Sequence, residues 1–171
     1  MQKVANWMYS NDRIAFVILN RYWKSSFTDF IMPLITNLGG AIWSITLCIV
    51  LLLSRNLDVT KVGEHLAISL FITHLIVRLF KKFLPRLRPY MKLENVHIGH
   101  KVYKDPSFPS GHSTAAFCSA TALSTVFPGY IILFFTVAAL VAVSRVYLGM
   151  HYPSDVTVGA IIAIAVTQMI I

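Results

Sequence analysis

The chain has 171 residues, of which 56% are hydrophobic and only 13% are charged, whereas soluble domains carry about 25% charged residues. This composition excludes an ordinary soluble domain, and the length fits a single integral-membrane domain, residues 1–171. The net charge of +8 does not predict a nucleic-acid partner, because the basic residues lie between apolar runs; anionic lipid or phosphate is the expected partner.

Residues 1–30 combine aromatic with basic side chains and contain no uninterrupted apolar core. They therefore do not resemble a cleavable signal peptide. Apolar positions such as Ile14, Val17 and Ile18 recur near helical spacing, and Trp7 and Trp23 flank them. This pattern predicts an amphipathic helix that lies in the membrane interface with its tryptophans at headgroup depth.

Apolar runs follow in the rest of the chain, and each is predicted to be helical because backbone groups in lipid must bond within their own segment. The predicted fold is an all-α, polytopic transmembrane bundle. Gly39-Gly40 interrupts the first run and predicts a kinked entry. Cys48 and Cys118 fall inside runs and are expected to be small buried hydrophobes. Five spans are predicted, over residues 31–53, 62–83, 110–127, 130–148 and 156–171.

The longest polar connection covers residues 84–109, and connections of this length are usually functional. It is expected either to shape a headgroup pocket or to act as a solvated basic loop attracted to anionic lipid. Its histidines, His97 and His100, do not predict a metal site, since no Cys or third His stands close in sequence. Before it, His74, Arg78 and Lys81 share one helical face, which should point into the bundle. The roles of His74 and Arg78 stay open.

Alternation of the spans brings four helix ends to one side of the membrane: the end of the second and fourth spans and the start of the third and fifth. Ionisable residues at membrane depth are costly and usually serve a site. Polar clusters stand at all four ends, so we expect them to converge. The clusters are Lys81 with Arg88-Pro89, then Pro109-Ser110-Gly111-His112, then Ser144-Arg145 with His151 and Asp155.

Three of these residues, Lys81, Arg88 and Arg145, are cations with no carboxylate nearby in sequence. Such a set favours a multiply charged anion, and arginines bind phosphate oxygens through forked hydrogen bonds. Ser110-Gly111 opens a helix, whose free N–H groups and dipole also attract an anion.

The two histidines of the clusters supply the chemistry. His151 lies four residues before Asp155, which can hold one ring nitrogen and leave the other as a nucleophile. His112, at a helix start, can protonate a leaving oxygen. The sequence offers no cluster of carboxylates for Mg²⁺, so the expectation is phosphoryl transfer through a phosphohistidine without metal or cofactor.

The three stretches resemble the signature motifs of the type 2 phosphatidic acid phosphatase superfamily: Lys, six residues, Arg-Pro; Pro-Ser-Gly-His; and Ser-Arg, five residues, His, three residues, Asp. The resemblance implies that His151 is the nucleophile, Asp155 its orienting partner and His112 the general acid. Ser144 matches without an assigned role. Many relatives have six spans, and the five predicted here resemble the layout of short bacterial undecaprenyl-pyrophosphate phosphatases. The implied phosphate ligands are Lys81, Arg88, Ser110, Gly111 and Arg145.

The expected function is hydrolysis of a phosphate monoester or pyrophosphate on a membrane lipid. Candidate substrates are undecaprenyl pyrophosphate, phosphatidylglycerol phosphate and phosphatidic acid. The alternatives are a lipid phosphotransferase that uses the same phosphohistidine and a non-catalytic membrane scaffold; a vanadate-dependent haloperoxidase fits less well, because that activity belongs to soluble relatives. The oligomeric state is not predicted.

The expected location is the cell membrane, but two arguments disagree about the side that the site faces. Basic residues crowd the side that carries the clusters, and the positive-inside rule would make that side cytoplasmic. Lipid phosphatases of the family that this chain resembles mostly work on the outer leaflet in bacteria. We expect the extracytoplasmic face.

Overall fold

The structure, a computed structural model, describes residues 11–99 and 102–171, and over these ranges it contains helices and no strands. The all-α prediction is therefore confirmed. Residues 11–17 form α1, which continues into the π-helical turn Ile18–Tyr22. The following helices are α2 (Ser26–Thr36), α3 (Ala41–Leu52), α4 (Leu57–Phe83), the short α5 (Pro89–Lys92), α6 (Gly111–Val126), α7 (Ile131–Tyr147) and α8 (Pro153–Ile170).

Helix α6 is the centre of the bundle and packs against α3, α4, α7 and α8. It consists largely of Gly, Ala, Ser, Thr and Cys, and small residues allow helix backbones to approach closely in a membrane. Its hydroxyls bond to carbonyls of the preceding turn, as Thr121 does to Phe117 O at 2.8 Å. The polar side chains are thereby satisfied without water, and the central helix can be buried.

The outer surface of the bundle is apolar. Ile42, Ile132 and Met169 are 81–87% exposed and lie on different helices. An exposed apolar surface of this extent is expected where helices face lipid.

Among the described residues, two helical stretches are long and apolar enough to cross a membrane, Pro128–Tyr147 and Pro153–Ile170. Ser26–Gly39 and Ala41–Leu52 would form a third span if they are one helix bent by 51°. The bend lies at Gly39-Gly40, as predicted. Helix α4 carries charge toward its end, and α6 has only 16 residues. The count of five spans therefore stays a prediction.

Three helix starts differ from the prediction. The first run was predicted to begin at residue 31, but α2 begins at Ser26, because the Ser25 side chain caps it by accepting from Thr28 N–H. The second run was predicted to begin at residue 62, but α4 begins at Leu57, because the Asn56 side chain caps it by accepting from the Asp58 and Val59 N–H groups. The last helix begins at Pro153 rather than at residue 156, because proline is favoured in the first turn of a helix.

The N-terminal segment does more than lie beside the bundle. In its described part, Phe16 and Asn20 are completely buried and Asp12 is nearly so. Asn20 donates to the carbonyls of His97 and Tyr147 at 2.8 and 2.7 Å. The segment is thus attached to the polar connection and to the end of α7. The membrane-interface prediction for residues 1–10 lies outside the described residues.

Candidate active site

Three of the four predicted helix ends meet at one cavity of about 590 Å³. It lies where α4 and α7 end and α6 begins, and the polar connection forms one of its walls. The residues that line it are His74, Val77, Arg78, Lys81, Arg88, Tyr103, Asp105, Pro106, Gly111, His112, Arg145 and His151.

The start of α6 is joined directly to the start of α8. Ser110 N–H donates to Asp155 O at 3.0 Å, and the Ser113 hydroxyl donates to Val156 O at 2.7 Å. A Cβ on Gly159 would come within 2.8 Å of Ser110 O, so glycine is needed where the two helices meet. These contacts hold the second and third sequence clusters together.

His151 lies at the bottom of the cavity and is 2% exposed. Its Nε2 is 3.2 Å from Arg88 Nη1, and its Nδ1 is 3.6 Å from Asp155 Oδ2. Since arginine can only donate, Nε2 must be the acceptor of this pair, which leaves the ring proton on Nδ1 beside Asp155. The distance to Asp155 exceeds that of a formed hydrogen bond, although catalytic hydrogen bonds are often long before substrate binds.

Burial, helped by the positive charges of Arg145 and Arg88 and opposed by Asp155, lowers the pKa of the His151 imidazole to about 4. The ring is therefore neutral at ordinary pH. A neutral ring keeps a lone pair on Nε2, the nitrogen that lies beside Arg88. A nucleophile requires this form.

Asp105 is a site residue that the sequence analysis missed. The cations of the first cluster were expected to lack a carboxylate, but Asp105 accepts a hydrogen bond from Lys81 and one from Arg88 Nη2 at 2.8 Å. Its partial burial raises the pKa of the carboxyl, but the Lys81 hydrogen bond and the Arg88 charge outweigh this and hold the pKa below its usual value. The carboxylate comes from the connection, 24 and 17 residues away in sequence.

Arg145 has a different environment. It is 3% exposed, its Nη1 donates to Thr36 Oγ1 at 3.0 Å, and its Nε has no hydrogen-bond partner within residues 11–99 and 102–171. No carboxylate lies within salt-bridge distance of Arg145 among the described residues. The ring of Tyr103 stands 5.3 Å from the Arg145 guanidinium carbon and 5.2 Å from that of Arg88. Burying an arginine without an anion costs folding free energy. Arg145 also lines the cavity, where an anion could reach it.

Helix α6 presents Gly111 and His112 to the cavity. A Cβ at Gly111 would meet nothing within 4 Å, so the space in front of the helix start is open. A Cβ on Gly39 would come within 2.6 Å of His112 O. The break between α2 and α3 therefore allows this pair of helices to pack against the residue predicted to be the general acid, a function of Gly39 that could not be read from the sequence.

Ser110 does not line the cavity as a phosphate ligand should. Its side chain accepts from Ser113 N–H and caps α6, and its own N–H is bonded to Asp155 O. The hydroxyl proton is the only donor that Ser110 has left for a ligand.

The remaining polar residues divide into two groups. His74 and Arg78 line the cavity beside Lys81, but both are exposed, so their shared helical face borders the open cavity and is not enclosed in the bundle as predicted. His97 lies elsewhere, with Nε2 3.0 Å from Asp29 and Nδ1 3.2 Å from Lys24. His100 lies outside the described residues. Cys48 and Cys118 are buried free thiols, as expected.

Residues 62–171, which carry all three clusters, match the family model of the PAP2 superfamily. The chain belongs to the PAP2 superfamily, and the resemblance read from the three motifs is confirmed.

The relatives are named as phosphatases. The chain is 29% identical over 151 residues to a lipid A 1-phosphatase of Rhizobium etli, which covers 74% of this chain and 62% of the relative. It is 34% identical over 100 residues to an undecaprenyl-diphosphatase of Sulfolobus acidocaldarius, which covers 58% of this chain and 48% of the relative. The chain thus spans about half to three-fifths of the length of these two curated relatives.

Solved structures share the architecture. Aquifex aeolicus LpxE matches with a TM-score of 0.83 and 29% identity, over 91% of this chain and 92% of that one. A transmembrane PAP2-type phosphatidylglycerolphosphate phosphatase from Bacillus subtilis matches with a TM-score of 0.79 over 96% of this chain and 85% of that one. Its identity is 23%, so it supports the fold alone.

Proposed function

We propose that the protein is an integral-membrane lipid phosphatase that passes a phosphoryl group through His151. The observation that carries this proposal is Arg145, a buried cation that has no carboxylate partner in the described part of the chain and shares a cavity with His151 and Arg88. A phosphate group would supply the missing anion, and Arg145 would bind it at no cost of reorganisation. Lys81, Gly111 and the hydroxyl of Ser110 complete the proposed phosphate site.

In the first step, His151 Nε2 attacks phosphorus as the bond from phosphorus to the lipid oxygen breaks. His112 gives its proton to that leaving oxygen. Asp155 faces Nδ1 and stabilises the positive charge that develops on the ring. The products are a phosphohistidine and the dephosphorylated lipid.

In the second step, a water molecule attacks the phosphohistidine, and the bond from phosphorus to Nε2 breaks. His112, now neutral, accepts the proton of that water. Inorganic phosphate leaves, and both histidines return to their starting forms. The arginines and Lys81 neutralise charge on the phosphoryl oxygens in both steps, so the mechanism needs no divalent ion.

The proposed substrate is a membrane lipid that carries a terminal phosphate. The apolar outer surface supports membrane residence, and the names of the relatives extend the candidates from undecaprenyl pyrophosphate, phosphatidylglycerol phosphate and phosphatidic acid to a lipid A 1-phosphate. Tyr103, Asp105 and Pro106 favour a connection that shapes the headgroup pocket over one that is a solvated loop.

The test is release of inorganic phosphate from a panel of these lipids by the full chain in detergent, with and without EDTA. We expect release from at least one lipid and the same rate after chelation. Absence of release from every lipid would contradict the proposed function. Release that stops after chelation and returns with Mg²⁺ would contradict only the metal-independent mechanism. Transfer of phosphate to an alcohol acceptor in place of water would indicate a phosphotransferase.

We propose that the cavity opens on the extracytoplasmic face. In a background without Cys48 and Cys118, a cysteine at exposed Glu94 should react with a membrane-impermeant thiol reagent in intact cells. Glu94 suits the test better than neighbouring Asn95, which has a φ of 54°. A cysteine at Arg55, in the turn before α4, is the matched control and should react only after lysis. The reversed pattern would show that the cavity faces the cytoplasm.

A further inference from the structure

Arg86 stands between the fixed positions of the first motif, yet it makes some of the shortest contacts near the cavity. Its Nη1 donates to Asp155 Oδ1 and to Ser154 Oγ, each at 2.7 Å. Its Nη2 donates to Asp12 Oδ2 at 2.6 Å. One guanidinium thus joins the carboxylate behind His151 to a carboxylate of α1.

Further contacts hold the cluster together. Asp12 accepts from Ser154 N–H at 2.8 Å and from the Ser154 hydroxyl at 2.6 Å. The guanidinium carbon of Arg86 lies 4.0 Å from the ring centre of Tyr152. The side chains of Asp155, Asp12 and Arg86 are 0%, 7% and 24% exposed. Charged hydrogen bonds of this length between groups shielded from water are strong and directional.

These contacts fix the direction in which Asp155 points. Arg86 holds Oδ1, whereas Oδ2 accepts from Tyr152 N–H at 2.9 Å and faces His151 Nδ1. Without Arg86, the buried Oδ1 would lose its only charged donor among the described residues. The carboxylate would then be free to turn. Its negative charge would act on His151 without being partly neutralised by Arg86.

We propose that Arg86 is a positioning residue that aims Asp155 at His151, and that Asp12 holds Arg86 in place. The N-terminal segment thereby becomes a structural part of the reaction centre. The effect of Arg86 on turnover rests on the proposed function; its effect on the His151 ring does not, because that ring can be titrated in the unliganded protein.

The expected sign follows from the charges around the His151 ring. Removing the Arg86 cation favours the protonated imidazole, so the pKa of His151 should rise. Removing the Asp12 charge should lower it by a smaller amount, since Asp12 lies behind Arg86. If the two substitutions only loosened the fold, the pKa of His151 would shift in the same direction in both variants. The charged and titratable groups around this ring are Arg88, Tyr103 and Asp105 of the connection, Arg145 of α7, Asp155 of α8, and, across the cavity, His74, Arg78, Lys81 and His112.

The experiment compares wild type with Arg86→Met, Arg86→Lys and Asp12→Asn, using Arg55→Met as the matched control on an exposed arginine outside the cavity. The His151 ring is titrated by NMR of the ¹⁵N-histidine-labelled full chain in detergent, with His151→Gln to assign its signal. Phosphate release then gives kcat and KM for each variant.

We expect Arg86→Met to raise the pKa of His151 and to lower kcat by about 100-fold, the order of loss that a misplacement of about 1 Å can cause. KM should stay within about twofold, because Arg86 does not line the cavity. Arg86→Lys keeps the charge but cannot bind two carboxylates through separate nitrogens. Its kcat should therefore lie between those of Arg86→Met and wild type. Asp12→Asn should give the smaller shift of opposite sign, and Arg55→Met should change nothing.

An unmoved His151 pKa in a folded Arg86→Met protein would overturn the proposal, as would shifts of the same sign in Arg86→Met and Asp12→Asn. If Arg86→Met does not fold, the proposal is tested with Arg86→Lys and Asp12→Asn. A wild-type kcat and a wild-type pKa of His151 in both variants would overturn it. If wild type releases no phosphate from any lipid, the proposed function fails, and the titration alone decides the role of Arg86.

Discussion

His151→Ala should lose turnover by on the order of 10⁴-fold or more, the loss typical of removing a nucleophile from a preorganised site. The described part of the cavity offers no second neutral imidazole that Asp155 and Arg88 hold in the same way. The fold should survive, because the imidazole is neutral when buried and its removal leaves no unpaired charge in the protein. Phosphate release and a thermal melt of the same preparation measure the two effects.

His65→Ala is the matched control for His151→Ala, because His65 is partly buried on α4 away from the cavity. It should keep wild-type turnover. Asp155→Asn should cost less than His151→Ala, since the nucleophile remains and only its orientation and charge partner are weakened. Near-normal phosphate release by His151→Ala would contradict the proposed mechanism.

Arg145→Met should have opposite effects on stability and on activity. The unliganded protein should melt at a higher temperature, because a buried cation without a carboxylate is replaced by an apolar side chain of similar length. Activity, as kcat/KM, should fall by about 10²- to 10³-fold, as when one preorganised donor is removed from a charged transition state. Vanadate, which mimics five-coordinate phosphorus, should inhibit wild type and lose affinity for the variant.

Arg55→Met is the control for Arg145→Met, because the same substitution is made at an exposed arginine. It should leave the melting temperature, kcat/KM and vanadate inhibition unchanged. A lower melting temperature for Arg145→Met would mean that Arg145 is held by the fold rather than kept ready for an anion. Unchanged kcat/KM would remove Arg145 from the proposed phosphate site.

The convergence of the clusters could be predicted because a membrane imposes alternation on its spans. Once the runs around residues 62–83 and 110–171 are taken as helices, the ends that carry Lys81, His112 and His151 must come to the same side. A helix start could also be predicted where a residue caps the helix that follows it directly, as Ser110 does for α6. Such starts were missed at Asn56, which caps α4, and at Pro153, the first residue of α8, because the predicted starts followed the apolar runs.

Contacts that cross the chain could not be predicted from local pattern. Asp105 pairs with Lys81 and Arg88 although it lies in a connection with few regular elements, and Asp12 reaches Arg86 across 74 residues. Tyr103 lies in the same connection and had no pattern to mark it. Each of these residues carries an ordinary side chain whose role depends only on what the fold brings next to it.

Transfer through His151 is tested most directly by rapid acid-free quenching of wild type mixed with a ³²P-labelled lipid phosphate that it hydrolyses. We expect an acid-labile, base-stable phosphoryl group on the peptide that contains His151, formed as fast as turnover and absent from His151→Ala. Label on another residue, or phosphate release through single turnovers with no labelled protein at any time, would contradict transfer through His151.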